Sequence, residues 1–346
     1  MTFDFTNPAI LGDYKNREQP QTVFGLLAKG LDERMRNHGG DITLLSCDNI
    51  LKNGRVLQLA LESFLSRYDN ELLAWTRQHV TYPNSMVDRI TPATTDDDIA
   101  EVRQRYGVED PCLVVAESFF QWVIEADSDS DLYPLQQVGV QFVRDVDPFE
   151  EMKLFILNGG HTLTGLLGDA LGHHLISDAV LDSRIAAVYD RYVRQEVIPI
   201  LHPIDGVSFS DYYSIVKARF ANTLIKDTTA RIIAGSSDKV PKFILPVIER
   251  QSARSDGKVN MAALIVAAWW YYLDSAYRRN AMADVQDRLK DTWMDIFRDR
   301  EHSHTAFIQY APVFGQVAAL APFRERYLHY ISLLRSGAIA EAFTSG

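Results

Sequence analysis

Residues Asp147 to His161 read DPFEEMKLFILNGGH, and the texture of the chain changes at this stretch. Asp147-Pro148-Phe149-Glu150 is a capping-box arrangement with proline at the first helical position, the pattern of a helix start. The apolar run Leu154 to Leu157 follows, then two adjacent glycines, each costing roughly 1 kcal/mol relative to alanine inside a helix. Something must offset that cost, such as close approach of a ligand or of another backbone. At about 100° per residue, Asn158 and His161 share a face and Lys153 falls within the same broad arc, so a lysine, an amide and an imidazole can converge on one spot. Each also has a plain reading: a snorkelling Lys153, an Asn158 that satisfies backbone groups, and a hydrogen-bonded core His161.

Upstream of this stretch the pattern alternates. Asp41 to Asp48 (DITLLSCD) is an apolar run ending in small and polar residues, expected to be a buried parallel strand. Helical patterns at Thr22 to Asn37, Gly54 to Tyr68 and Glu71 to His79 bracket it. Strand-like runs follow at Val80 to Ile90, Pro111 to Glu125 and Val138 to Val146, with a helix from Thr95 to Tyr106 that opens on an acidic first turn. Downstream, strand candidates disappear. Helices are expected over Phe149 to Leu171, Asp182 to Ile200, Ser210 to Ala221, Asp227 to Ala234, Lys242 to Ser252, Val259 to Arg278, Met282 to Phe297 and Pro322 to Arg335. The chain therefore reads as an α/β portion over residues 1–146 followed by a mostly α-helical domain over 147–346. Small-molecule sites favour clefts between two such domains.

Composition narrows the function classes. The net charge is -11 with dispersed basic residues, which gives no footing for nucleic acid. Cys47 and Cys112 are the only cysteines, too few for a disulfide framework and suited to a reducing cytoplasm. The start lacks a signal-peptide pattern, and the most apolar run, Met261 to Leu273, is too short to span a bilayer, so no membrane partner is expected. His173-His174 and His302-x-His304 lack an accompanying ligand pattern and read as surface or cap residues, which leaves no metal site expected. Trp269 to Tyr272 point around a helix and read as core packing.

Several segments then agree in order and spacing with one family. Ser46-Cys47-Asp48-Asn49 followed by Asn53-Gly54, Pro83 to Pro92 (PNSMVDRITP), Lys153-x4-Asn158-x2-His161, Arg219-Phe220-Ala221-Asn222 with Asp227-Thr228 and Arg231, and Lys239-Val240-Pro241 together resemble the long-chain mannitol dehydrogenase family. The resemblance covers essentially the whole chain. It implies an incomplete Rossmann-like nucleotide-binding portion, a helical substrate domain, and a metal-independent oxidoreductase that uses NAD or NADP on a linear polyol and its ketose, of mannitol or arabinitol type. A hexuronate such as fructuronate is the alternative substrate, its carboxylate held by a cationic pocket around Arg231 and Lys239.

The same resemblance assigns roles. Lys153 would be the general base for the substrate hydroxyl, tuned by burial. Asn49 and Asn158 would steady the oxygen on which charge develops. His161 and Arg231 would contact substrate hydroxyls, and Asp88 and Lys239 would line the site. Ser46, Cys47 and Asp48 would lie against the cofactor. Glu150 is either a proton relay from Lys153 to solvent or an ordinary capping-box carboxylate. Asp88 is equally readable as a salt-bridge or turn residue, and Lys239 as a solvated helix-end lysine. The family's Gly-rich phosphate turn is expected upstream of Met1, since GxGxxG occurs nowhere in the sequence. A catalytically silent remnant or binding protein is the reading that this absence favours.

Overall fold

In the computed structural model, which describes residues 3–126 and 132–345, the chain divides into two compact units. One comprises Met1–Arg89 and Ser118–Glu150, the other Ile90–Glu117 and Glu151–Gly346.

The first unit is built on helices whose starts are fixed by side-chain caps. Thr22 accepts from the Gly25 N–H to open Val23–Arg36, and Asp69 accepts from Glu71 and Leu72 to open Asn70–His79. These and the Asn53–Tyr68 helix bury one face each around Leu61, Phe64, Leu65 and Leu72. Tyr14 stacks on Phe64 at 4.7 Å between ring centroids. Two small sheets complete it. β1 (Ile42–Thr43) runs parallel to β2 (Val80–Thr81), and β3 (Ser85–Asp88) is antiparallel to β4 (Gln121–Glu125), which is parallel to β5 (Gln141–Val143).

The strands are shorter than the apolar runs suggest. Of Asp41 to Asp48, only Ile42 and Thr43 are paired, and the residues from Ile42 to Ser46 are half-buried rather than buried. Among the described residues this strand has one neighbour, so only one of its edges is satisfied and its faces are incompletely covered. Val80 to Ile90 is two strands, interrupted at Tyr82–Asn84, where Pro83 cannot donate to a ladder. Pro111 to Glu125 pairs only from Gln121 onward, and Val138 to Val146 only at Gln141–Val143.

The second unit is helical. Among the described residues its β pairing is limited to one bridge, Leu175 with Thr228. Its centre is Asn260–Arg278, whose residues from Met261 to Trp270 are all buried, as an all-round apolar helix must be. Glu196 caps this helix from a neighbouring one, accepting from the N–H groups of Met261 at 2.6 Å and Ala262 at 2.9 Å. Trp269 and Trp270 lie in the core, with Trp269 edge-on to Trp293 and Phe307.

Besides Phe149 to Leu171, which a π-helix interrupts, three expected helices are divided. Asp182 to Ile200 consists of Ser183–Arg191, a π-helix over Tyr192–Val197 and a short 3-10 turn. Met282 to Phe297 contains a non-helical stretch before Lys290–Arg298, because Gln286 and Asp287 serve the backbone N–H groups of Gly235 and Ser237. Lys242 to Ser252 is the end of Ser236–Phe243 and all of Leu245–Ser252. The segment Ile90–Glu117 belongs to this unit and carries a buried ion pair to it. Arg219 Nη2 lies 2.7 Å from Glu117 Oε1, and the same oxygen accepts the Ile90 N–H at 2.6 Å. Its helix, Asp96–Tyr106, opens on a closed capping box of Thr95 and Asp98.

Candidate active site

Asn53 organises the turn that follows β1. Its buried amide donates to the carbonyls of Ser46 at 3.0 Å, Asp48 at 3.1 Å and Ser85 at 2.8 Å, and its oxygen accepts from the N–H groups of Ser85 and Gly54 at 2.8 Å. Gly54 is required beside it, since a Cβ there would overlap the carbonyls of Tyr82 and Pro83. Asn84 Oδ1 accepts from Arg55 N–H at 3.0 Å, so the two motif segments of this unit are tied to each other. Ser46, Cys47 and Asp48 are thereby presented past the carboxyl end of β1, along a cavity of about 480 Å³ that also includes Thr43, Leu44, Leu45 and Val56. Cys47 is exposed, and partial burial with the nearby Asp48 charge raises its thiol pKa. Asn49 is exposed beside this turn, and Asp88 is buried on β3 opposite Gln121.

Glu150 does not close the expected capping box. Its carboxylate accepts from the Lys52 backbone N–H at 3.1 and 3.3 Å. Lys52 itself adopts a left-handed conformation, φ 53°, and its Nζ lies 3.1 Å from Asp147 Oδ2. Burial pushes the Glu150 carboxyl up to about 7, with the Lys52 N–H opposing the rise and the Asp147 charge adding to it.

In the second unit, Lys153 begins a six-residue π-helix, Lys153–Asn158, which continues as Gly159–Ala170. A π-turn holds an extra residue per turn and occurs frequently at functional sites. An α-helix would set Lys153 and Asn158 about 140° apart, whereas the i→i+5 spacing of a π-turn brings them toward one face. The turn is held by Tyr189, whose hydroxyl donates to the Ile156 carbonyl at 2.8 Å. The adjacent glycines are explained by the same neighbour. A Cβ on Gly159 would stand 2.7 Å from the Tyr192 hydroxyl, and one on Gly160 would overlap the Tyr189 ring. The close approach is made by two tyrosine side chains.

Lys153 is buried, 6% exposed. Asn158 Oδ1 is buried with no hydrogen-bond partner among the described residues. An orphaned amide atom of this kind fits a ligand contact, since such groups are otherwise satisfied. Rotating the amide places its Nδ2 in the same position.

One helical turn on, His161 stacks on Phe220 at 4.4 Å. Its Nε2 lies 3.3 Å from Asp227 Oδ2, close enough for attraction but off the line of a full hydrogen bond. Asp227 receives Arg231 in a two-pronged pair, Nε to Oδ1 and Nη2 to Oδ2, both at 2.6 Å. Lys239 Nζ donates to the carbonyl of Ile232 at 2.7 Å. Burial lowers the His161 pKa, and the Arg231 and Lys239 charges lower it further while Asp227 opposes them. Burial alone would raise the Asp227 carboxyl, but the His161 and Arg231 contacts outweigh it and hold it well below the usual range. Lys239 is lowered by burial and then by Arg231.

His161, Arg231 and Lys239 thus meet around Asp227, and Lys153 and Asn158 lie on the π-turn just before them. Asn53 and Asp227 are the organising residues that the motif reading left without roles. The spacing Asp227 to Arg231, four apart, was the visible signal for a pair along a helix. Among the described residues, no group of three or more metal-binding side chains gathers, and no helix is long and apolar enough to cross a membrane.

Comparison with known proteins bears on both units. Residues 9–134 match the mannitol dehydrogenase Rossmann domain and residues 145–331 the mannitol dehydrogenase C-terminal domain. The chain is 40% identical over 286 residues to mannitol dehydrogenase DSF1 of Saccharomyces cerevisiae, covering 82% of this chain and 57% of the yeast protein. It is 34% identical to mannitol 2-dehydrogenase of Aspergillus fumigatus, covering 81% of this chain and 56% of that protein. The structure of Pseudomonas fluorescens mannitol 2-dehydrogenase in ternary complex with NAD and D-mannitol is similar, with a TM-score of 0.80, 30% identity and coverage of 97% of this chain and 68% of that one. The chain therefore spans a little over half the length of these curated relatives.

Proposed function

The chain belongs to the mannitol dehydrogenase family, with a Rossmann-type portion followed by a helical domain, and from that premise we propose that it serves the interconversion of a linear polyol and its ketose. The observation that carries this reading is the orphaned amide of Asn158, placed between buried Lys153 and the His161–Asp227–Arg231 cluster. A polyol presents hydroxyls that both donate and accept, and this set of groups offers both kinds of partner.

NAD or NADP, when bound, supplies the hydride acceptor. The turn Ser46–Cys47–Asp48 fits one end of such a cofactor: it lies beyond the carboxyl end of a parallel strand, beside a cavity within the roughly 300–1,000 Å³ range of ligand sites. Lys153 takes the proton of the reacting hydroxyl and returns it in the reverse direction. Asn158, with Asn49, steadies the oxygen as charge develops on it. His161 and Arg231 orient the remaining hydroxyls, with Asp88 and Lys239 at the edge of the site. Glu150, with its raised pKa, passes the proton onward. Residues 1–146 serve the nucleotide and 147–346 the substrate. The protein works without metal, in the cytoplasm.

A second reading is a binding protein that keeps the polyol pocket without turnover. Calorimetric titration with NADH, then with D-mannitol, followed by a turnover assay, separates the two. Binding with turnover supports the enzyme, and Lys153→Ala then lowers turnover about 10²- to 10⁴-fold with a smaller change in mannitol affinity. Mannitol binding without NADH binding or turnover selects the second reading. A folded chain that binds neither ligand refutes both.

A further inference from the structure

Arg231 is the residue to which a cationic pocket for a hexuronate would be assigned, yet one of its two carboxylate-recognising edges is already taken. The Nε and Nη2 groups that form a two-pronged contact with a carboxylate are both on Asp227 at 2.6 Å. Asp227 is buried, 4% exposed at the side chain, whereas Arg231 is 43% exposed. The guanidinium therefore reaches solvent while a fixed negative charge stands at its base. A ligand carboxylate approaching the free edge meets that charge within a few ångströms. The second cation is also committed, because Lys239 Nζ donates to the carbonyls of Ile232 and, more weakly, Arg231 at 2.7 and 3.5 Å.

His161 completes the argument. A neutral imidazole with Nε2 at 3.3 Å from a carboxylate oxygen carries its proton on Nε2. Nδ1 is then a bare acceptor. A lone pair attracts a hydroxyl proton and repels a carboxylate oxygen, which has no proton to offer.

We propose that Asp227 determines specificity at this site, occupying Arg231 and orienting His161 so that the pocket takes an uncharged polyol and turns away a sugar acid. The inference rests on the polyol reading above. Its test compares D-mannitol with D-gluconate, a linear chain of the same length ending in a carboxylate, by calorimetry on the chain in the presence of NADH. The wild-type chain binds mannitol at least about tenfold more tightly than gluconate. Asp227→Asn keeps the shape and removes the charge, and it shifts that ratio toward gluconate by about tenfold. An unchanged ratio, or a wild-type preference for gluconate, overturns the proposal.

A second measurement needs no ligand. Nitrogen-15 histidine NMR at pH 7 shows His161 as the Nε2–H tautomer, assigned by its loss in His161→Gln, and a mixed tautomer appears in Asp227→Asn. An Nδ1–H tautomer in the wild type overturns the orienting role. A chain that binds neither probe refutes the polyol reading and the selectivity together, while the tautomer still reports on the pairing. Both wild-type readings stand without a variant, so a misfolded Asp227→Asn leaves the proposal falsifiable.

Discussion

Glu150 shows how one carboxylate can be turned from a helix-start residue into a titrating group near neutrality. Its folded pKa of about 7 lies above the ordinary 4.5, because burial disfavours the charged form more than the Lys52 N–H favours it. Between those values the folded chain keeps a proton that the unfolded chain releases, so this group's contribution to stability is present below pH 4.5 and is lost as pH rises through about 7. In Glu150→Gln an amide oxygen still accepts from Lys52. Melting followed by circular dichroism is expected to show similar Tm values near pH 4.5 and a variant more stable by a few degrees at pH 8, on the order expected for 1 kcal/mol or so. A gap that narrows with rising pH would contradict the buried, protonated carboxyl. At this scale the sequence was informative where chemistry is written in residue types. Lys153, Asn158 and His161 stand out as polar groups in an apolar helix. Asn53 does not, because its importance lies in five hydrogen bonds to main-chain groups of Ser46, Asp48, Ser85 and Gly54 that no composition reveals.

The π-turn at Lys153–Asn158 and the glycines after it act as one element. Gly160→Ala gains roughly 1 kcal/mol in helix propensity but drives a methyl group into the Tyr189 ring, an overpacking that typically costs 1–3 kcal/mol. Net destabilisation of up to about 2 kcal/mol is expected, read in urea as a lower midpoint at unchanged slope. Tyr189→Phe, which keeps the ring and removes the hydroxyl donated to Ile156, is expected to cost about 1 kcal/mol. A stabilised Gly160→Ala would show that the ring has room to move. Helix starts were legible, as at Thr22 and Thr95, because a cap is a local device. The π-turn was hidden, since its extra residue leaves the apolar pattern Leu154 to Leu157 intact. The strands were over-read for the opposite reason: Asp41 to Asp48 has strand composition, but pairing depends on which neighbours lie alongside.

At the scale of the whole molecule, Ile90–Glu117 falls within the helical unit, where Glu117 pairs with Arg219, 102 residues away, a contact that no local window of sequence contains. Removing one member of such a buried pair typically costs 3–5 kcal/mol, because the other charge is left without compensation. Glu117→Gln is therefore expected to lower the denaturation midpoint of the helical unit and to open residues 90–117 to limited proteolysis under native conditions. Protection equal to the wild type would mean that apolar contacts alone hold the segment. The change from an α/β texture to a helical one near Asp147 was, by contrast, plain in the sequence, because periodicity is a property of runs. The π-turn gives the helical unit a setting in angle as well as in distance. Relaxation of the turn to an ordinary α-helix at unchanged chain length would swing Lys153 by about 100° against His161, whereas loss of one residue between Leu154 and Leu157 would let the helix close without that swing. The Lys153 amine is thus clocked to its neighbours by the one extra residue that the turn absorbs.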